Sequence, residues 1–330
     1  MRAIHFMWCL ALLAASCGKS DNDAGTDTNG QAEWPAQTPL TPASGSASFN
    51  MAADLDHLNV MESAMPRLPA FPSAQRKELK LLGYVADLHG KPLEGAYIGL
   101  RSPGTVYIAA SAITNANGYY EVSIPLGGAD IYAAGYTIDY GAGRAAMSLY
   151  PTDGRVALTD PGAGVVKNFV LLSYGLADAN KRASEPWSSA GYFGGSLRFD
   201  YSIYDPMWNT NGMPAGAEVE IKLVPQANST LYGETKSFTV VKKIGNGNGN
   251  FVLNNIPVGT YDITMKLKDG REVHMEASGP YVSLYPHHGL MPREATGTAK
   301  VLFTPMAVEA RSPNANSGDW RPVTITLSMP

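Results

Sequence analysis

The chain has 330 residues, of which 45% are hydrophobic and 16% charged, and its formal net charge is −4. This length and apolar content are enough for one large or two ordinary domains, each with its own core. The slight negative charge and the lack of any basic stretch in the sequence exclude nucleic acid as an expected partner.

The amino terminus has the features of a secretion signal. Arg2 precedes the apolar run AIHFMWCLALLAAS, which is too short to remain in a bilayer as a permanent helix. The run ends in LLAASC, where small residues stand directly before Cys17. This ending resembles the lipobox of bacterial lipoproteins, although Ala14 stands where that motif usually has leucine. An ordinary cleavable signal is the alternative interpretation.

The lipobox resemblance implies a signal peptide over residues 1–17 and a lipid on Cys17, which would become the first residue of the mature chain. The protein would then be exported and anchored in the bacterial outer membrane or at the cell surface. The other cysteine, Cys9, lies within the signal, so the mature chain cannot form an internal disulfide.

Residues 18–75 are predicted to form a flexible linker, because their first part is rich in Gly, Ser, Thr, Asp, Asn and Pro. One segment of this linker has a helical pattern, in which apolar residues recur three or four positions apart. They are Met51, Leu55, Leu58, Met61 and Met65. A short helix is therefore predicted within residues 50–65.

Beyond residue 75 the periodicity becomes that of strands. The segments YYEVSI (119–124), YDITMKLK (261–268) and VTITL (323–327) alternate apolar with polar residues, as half-buried strands do. Turn-forming pairs recur at short intervals, and no long helical pattern separates them. This arrangement predicts an all-β fold of the sandwich class.

One phrase occurs twice, as NANGYYEVSIPLGG at 115–128 and as NGNGNFVLNNIPVG at 246–259. In each copy an Asn-Gly pair predicts a hairpin turn, and a strand follows. Upstream, GKPLEGAYIGL (90–100) matches GMPAGAEVEIKL (212–223). The two motifs recur in the same order, and their copies are separated by 122 and 132 residues, which predicts two diverged modules.

The segments GYVADLHGKPLEGAYIGLRS and TNANGYYEVSIP resemble the carboxypeptidase regulatory-like domain. The resemblance implies a transthyretin-like (prealbumin-like) β-sandwich over residues 76–175. The second module, over residues 176–330, resembles the same superfamily more weakly. The expected fold is therefore two tandem transthyretin-like β-sandwiches, of a class that shares its fold with starch-binding domains.

The sequence lacks the motifs of the enzymes that such a domain accompanies. No histidine of the mature chain begins a His-x-x-Glu pair, and no His-Glu-x-x-His occurs. We therefore predict a protein that is not an enzyme and has no cofactor; an unrecognised metal-dependent enzyme is the weakest alternative. His274, His287 and His288 are the candidate metal ligands, but adjacent side chains diverge, so no metal site is predicted.

Aromatic side chains are concentrated in the segment that joins the modules, where Trp187, Tyr192 and Trp208 are candidate ligand-binding residues. Flat rings on loops can stack against sugars, whereas packing of the joint between the modules is the favoured explanation for Trp187 and Trp208. The expected function is structural or adhesive binding and display at the cell exterior, with carbohydrate binding as the alternative. The expected partners are the membrane, through the lipid, and a glycan or a surface protein.

Overall fold

The fold is described from a computed structural model of the chain, which covers residues 32–105, 107–158 and 161–330. The predicted all-β class is confirmed, since 44% of the residues lie in strands and 4% in helices. Within the described ranges, one α-helix (α1, Ala179–Ser184) and two 3₁₀ turns (Pro161–Ala163 and Ser189–Gly191) occur. None of the helices described is long and apolar enough to cross a bilayer.

The first described segment, residues 32–75, contains two strands and is called the amino-terminal belt below. β1 (Ser46–Met51) pairs in parallel with Ser237–Lys243, and β2 (His57–Asn59) pairs in parallel with part of Gly249–Ile256. The helix predicted within residues 50–65 is therefore wrong. Leu55, at the centre of the predicted apolar stripe, is 46% exposed. The segment pairs with distant strands, so its apolar residues do not share one helical face.

The belt also contacts the first unit of the fold, which comprises the strands between Lys80 and Leu171. The Trp34 ring packs edge-on against Tyr84, with 5.7 Å between ring centres, and its indole N–H donates to the Asn117 carbonyl at 3.2 Å. Residues 32–75 are thus packed on the body of the protein, so the predicted flexible linker is wrong over this range. Its first part, residues 18–31, lies outside the described residues.

A buried lysine fixes the turn between β1 and β2. Lys242 is 1% exposed, and its ammonium donates to the carbonyl oxygens of Ala52 (2.6 Å), Ala53 (3.1 Å) and Leu55 (2.6 Å). Burial lowers the pKa of Lys242, while the carboxylates of Asp54 and Asp56 oppose this shift. The Lys242 ammonium donates to all three carbonyl groups and so holds the belt against the second unit of the fold, which comprises the strands between Gly195 and Ser328.

The first unit is a single curled sheet of eight strands. They are β3 (Lys80–Ala86), β4 (Tyr97–Arg101), β5 (Ile108–Ile113), β6 (Tyr119–Ser123), β7 (Asp130–Tyr140), β8 (Gly143–Pro151), β9 (Val165–Val166) and β10 (Phe169–Leu171). Their order is β5-β4-β7-β8-β10-β3-β6, with β9 beside β3. The terminal strands β5 and β6 approach each other, so the sheet forms a half-barrel around its apolar core.

The second unit consists of two six-stranded sheets. Its strands are β11 (Gly195–Tyr201), β12 (Glu218–Pro225), β13 (Ser237–Lys243), β14 (Gly249–Ile256), β15 (Thr260–Leu267), β16 (His274–Ser278), β17 (Gly289–Met291), β18 (Glu294–Thr296), β19 (Thr298–Leu302), β20 (Thr304–Pro305), β21 (Trp320–Arg321) and β22 (Val323–Ser328). One sheet has the order β1-β13-β12-β15-β19-β17 and the other β18-β16-β22-β11-β14-β2, while β20 pairs with β21. The belt therefore supplies an edge strand to each sheet.

The two units share a pattern of strand pairing. In the first, β4 pairs with β5 and β7, and β3 pairs with β6 and, in parallel, with β10. In the second, β12 pairs with β13 and β15, and β11 pairs with β14 and, in parallel, with β22. The repeated phrases lie at equivalent places in the two pairing patterns, at the starts of β6 and β14. The sequence repeat thus corresponds to a repeat of topology.

The Asn-Gly pairs do not form the predicted hairpins. β5 and β6 lie at opposite ends of the curled sheet, and β13 and β14 belong to different sheets, so the strands that flank each turn are not paired with each other. Gly118 has a φ of +70°, whereas Asn117, Asn248 and Gly249 have no positive φ. The hairpin prediction is wrong because turn chemistry does not determine whether the flanking strands pair with each other.

The units meet around Tyr140, at the end of β7. Its hydroxyl accepts from the Phe303 N–H at 3.0 Å and lies 3.5 Å from the Gly259 carbonyl, and its ring packs at 5.1 Å from the ring of Trp320. The segment 306–317 then runs across β7 and β8 with backbone hydrogen bonds to both strands. The two units therefore form one packed body in which Tyr140 is a central contact.

A buried carboxyl lies beside this joint. Asp319 is 6% exposed, its backbone carbonyl accepts from the Met306 N–H at 2.8 Å, and its Oδ2 atom has no hydrogen-bond partner. Burial raises the pKa of Asp319 well above its usual range, and a backbone hydrogen bond from Ser148 opposes the shift only in part. Burial therefore favours the protonated form of this side chain.

Candidate functional site

The most exposed aromatic side chain predicted to bind ligand lies on the loop that follows β11. This loop, residues 202–213, is called the Trp208 loop. Trp208 is 85% exposed, and Tyr204 and Met207 of the same loop are also exposed. Three large apolar side chains are thus exposed on one loop, which makes the loop a candidate contact surface.

The backbone of the Trp208 loop is held by its own hydrogen bonds. The Asp205 carboxylate accepts from the N–H groups of Met207 (2.8 Å) and Trp208 (2.9 Å), and the backbones of Asp205 and Asn209 bond to each other in both directions. The Asn209 amide then donates to the Ile203 carbonyl at 2.8 Å. The backbone of the loop is thus pre-organised, which lowers the entropy that the backbone would lose when a ligand binds.

A second turn completes an open groove beside Trp208. Asn246, Gly247 and Asn248, between β13 and β14, line the groove together with residues of the Trp208 loop. The Asn248 side-chain oxygen accepts from the Ile203 N–H at 2.8 Å, which fixes the two loops relative to each other. The groove therefore combines a flat ring with exposed amide groups.

This combination suits a neutral, polyhydroxylated ligand. An indole face can stack on the apolar face of a sugar ring, and amide side chains can both donate to and accept from its hydroxyls. The only carboxylate in the lining, Asp205, is engaged as the acceptor for the loop backbone.

The structure separates the three aromatic residues predicted to bind ligand. Tyr192 is 4% exposed, and its hydroxyl donates to the Pro186 carbonyl at 3.1 Å, so it is a packing residue. Trp187 is 49% exposed, and its carbonyl accepts from the Asn254 amide at 3.1 Å. Asn254 lies on β14, and Asn248 lies directly before it. The two residues are six positions apart, which is roughly 20 Å along an extended strand. Trp187 and Trp208 therefore do not form one surface.

The candidate metal ligands are likewise dispersed. His274 contacts the Thr296 hydroxyl at 3.2 Å, His287 is exposed, and His288 stacks on Tyr140 with 5.8 Å between ring centres. Burial, with His287 nearby, lowers the pKa of His288. Across the described ranges, no three His, Cys, Asp or Glu side chains are grouped to hold a metal ion. Cys17, the predicted lipidation site, lies outside the described residues.

Comparison of the chain with protein-family models, with curated proteins and with solved structures found no match in any of the three. The resemblance to the carboxypeptidase regulatory-like domain therefore stays a prediction that rests on the motifs themselves.

Proposed function

We propose that this protein is a non-catalytic binding protein of the cell exterior, held to a membrane by a lipid on Cys17, and that the Trp208 loop binds a carbohydrate. The observation that carries the proposal is the exposed indole of Trp208 on a hydrogen-bonded loop beside the amides of Asn246 and Asn248. The two packed β units serve as the scaffold that displays this loop.

Replacement of Trp208 by alanine is the direct test of the saccharide site. We expect the wild-type protein to be retained on at least one insoluble polysaccharide or glycan-array spot. Trp208→Ala should bind that ligand about 10- to 100-fold more weakly, because burial of a large side chain contributes about 1.5–3 kcal/mol. Binding is measured as an isotherm against soluble oligomers of the same glycan.

Trp187→Ala is the matched control, since Trp187 is, like Trp208, an exposed tryptophan and lies at the other end of β14. It should leave glycan binding unchanged. Failure of the wild-type protein to bind any glycan, or an equal loss in both variants, would reject the saccharide site.

Adhesion to a surface protein is the second candidate, and Met207 favours it. Met207 is exposed beside Trp208, and its flexible, polarisable side chain is typical of protein contacts more than of sugar contacts. Met207→Ala should weaken a protein contact while leaving saccharide binding nearly unchanged. Comparing Met207→Ala with Trp208→Ala therefore distinguishes the two candidates.

The lipid anchor is supported by the apolar run after Arg2 and by the small residues before Cys17. Cys17→Ser should abolish labelling with palmitate and shift the protein from the membrane fraction to the soluble fraction, because no acyl chain can then be attached. Cell fractionation with Cys9→Ser as the control provides the measurement. Unchanged membrane retention of Cys17→Ser would contradict the proposal.

A further inference from the structure

The joint within the chain is made by one end of the first unit and one end of the second. Residues 87–96, which connect β3 to β4, lie at this end of the first unit. The Leu88 N–H donates to the Tyr232 hydroxyl at 3.4 Å, and the His89 and Tyr232 rings are 5.7 Å apart between ring centres. Tyr232 belongs to residues 226–236, which connect β12 to β13. The connection before β4 therefore docks on the connection after β12.

These two connections stand at opposite ends of the pairing pattern that the units share. In that pattern β4 corresponds to β12, and the connections before and after a strand lie at its two ends. Each unit thus has a docking end, before β4 or β12, and a receiving end, after β4 or β12. Within the chain, the docking end of the first unit occupies the receiving end of the second.

The turn before β15 belongs to the same receiving end, because Tyr261 of β15 pairs with Pro225 at the end of β12. The Val258 N–H in this turn donates at 3.0 Å to the carbonyl of Ser173, which follows the last strand of the first unit. Val258 and Tyr232 are both buried. The receiving end of the second unit is therefore covered.

The receiving end of the first unit is exposed. Leu126 has the place of Val258 in the repeated phrase, IPLG against IPVG, and it is 90% exposed. Tyr107, in the connection after β4, is 79% exposed, and Ile108 and Leu79, next to the starts of β5 and β3, are exposed as well. Four large apolar side chains thus lie in water at the end that is buried in the second unit, which makes this end a candidate contact surface.

The docking end of the second unit is the Trp208 loop, which joins β11 to β12 as residues 87–96 join β3 to β4. The two connections align at GKP and GMP, and the part of the Trp208 loop before GMP is longer than its counterpart. This extra length contains Tyr204, Met207 and Trp208, which are all exposed. The protein therefore has an exposed apolar docking end on its second unit and an exposed apolar receiving end on its first.

We propose that copies of this protein associate head to tail, with the Trp208 loop of one copy on the receiving end of the first unit of the next copy. The contact repeats between copies the arrangement that joins the two units within each copy, and it covers Tyr107 and Leu126. The inference rests on the second candidate function, a protein contact through the Trp208 loop, and identifies the partner as another copy of the chain.

Such a contact determines the kind of assembly. Two different surfaces meet, so the association is heterologous and extends into a chain or ring of copies instead of stopping at a two-fold dimer. A Trp208 loop covered by another copy cannot also bind a glycan. Self-association and saccharide binding would therefore compete for the loop.

Thiol cross-linking in cells tests the contact. Leu126→Cys and Met207→Cys are introduced together into the full chain, and a membrane-permeant bismaleimide is added. We expect a ladder of cross-linked multimers from the double variant, and a cross-linked dimer when the two single variants are expressed together. Neither single variant alone should form cross-linked species above the wild-type background, which reports any reaction of Cys17.

Tyr107→Asp, added to the double variant, should lower the cross-linked fraction at least about tenfold, because the aspartate would be buried in the contact without a partner. Leu284→Asp is the matched control, since Leu284 is an exposed apolar residue of the second unit outside both ends. It should leave the ladder unchanged.

Three results would overturn the inference: no ladder from the double variant, cross-linked dimers from either single variant alone, or an equal loss in both aspartate variants. The saccharide site is judged separately, by glycan binding of Tyr107→Asp with Leu126 and Met207 unchanged. This variant keeps the Trp208 loop, so the loss of self-association and the loss of glycan binding are distinguishable.

Discussion

Replacing Tyr140 with alanine is expected to lower the free energy of unfolding by about 3–5 kcal/mol, the usual range for removal of a buried aromatic ring. The ring fills the joint between the units against Trp320 and His288, with ring centres 5.1 Å and 5.8 Å away. Loss of the ring leaves a cavity at the joint, and the two units would have to move relative to each other to close it. Equilibrium unfolding in urea measures the effect.

Tyr140→Phe separates the contribution of the ring from that of the hydroxyl. It keeps the packing but leaves the Phe303 N–H without its acceptor, so the expected loss is smaller, about 1–2 kcal/mol. Tyr107→Ala is the control, because Tyr107 is exposed and should change stability by less than about 0.5 kcal/mol. A Tyr140→Ala protein as stable as the wild type would show that the joint is not a stabilising contact.

The second large effect concerns the buried carboxyl of Asp319. Burial raises its pKa in the folded state above the value of an unfolded chain, so the folded protein binds more protons over the interval between the two. The contribution of Asp319 to stability is therefore complete below about pH 4 and is lost as the pH rises towards the folded-state pKa. Asp319→Asn removes this dependence.

The expected result is a stability difference that grows with pH. The free energy of unfolding of Asp319→Asn, minus that of the wild type, should be larger at pH 7 than at pH 3, because burial opposes ionisation of the wild-type carboxyl whereas the amide does not titrate. Comparing the two pH values cancels any fixed effect of the amide. Asp139→Asn, at an exposed position on β7, should show no such difference. A constant difference for Asp319→Asn would mean that its carboxyl is not protonated in the fold.

The strands were the part of the fold that local sequence predicted well. YYEVSI, YDITMKLK and VTITL correspond to β6, β15 and β22, and their apolar residues face the core. Alternation with a period of two is a local signal, and burial on one face of a sheet reinforces it. The repeat was predictable for the same reason, since each copy keeps its turn and strand in order.

The belt was not predictable, because its structure is determined by distant residues. Met51 and Met61 are both buried, which satisfies the apolar pattern, but Met51 does so opposite Lys242 in a parallel ladder. No local pattern indicates that the strand at residues 46–51 will pair with one about 190 residues further along the chain. Composition alone therefore misassigned this region as a linker.

The candidate site was predicted only in part. The exposure of Trp208 agrees with its proposed role, whereas Tyr192 is buried and Trp187 lies elsewhere. The amides of Asn246 and Asn248 were assigned to a turn, and nothing in their spacing showed that the turn would lie beside Trp208.

The pairing of the belt also has a consequence for how the chain reaches its native state. β1 and β2 are synthesised early, yet about 190 residues separate them from their partners β13 and β14. Contacts of such long range are slow to form, since the closure of a long loop must precede any gain from pairing. Until β13 and β14 are available, the hydrogen-bonding groups of β1 and β2 remain open to other chains. We therefore expect nascent chains that end before residue 237 to aggregate more readily than chains that include β13 and β14.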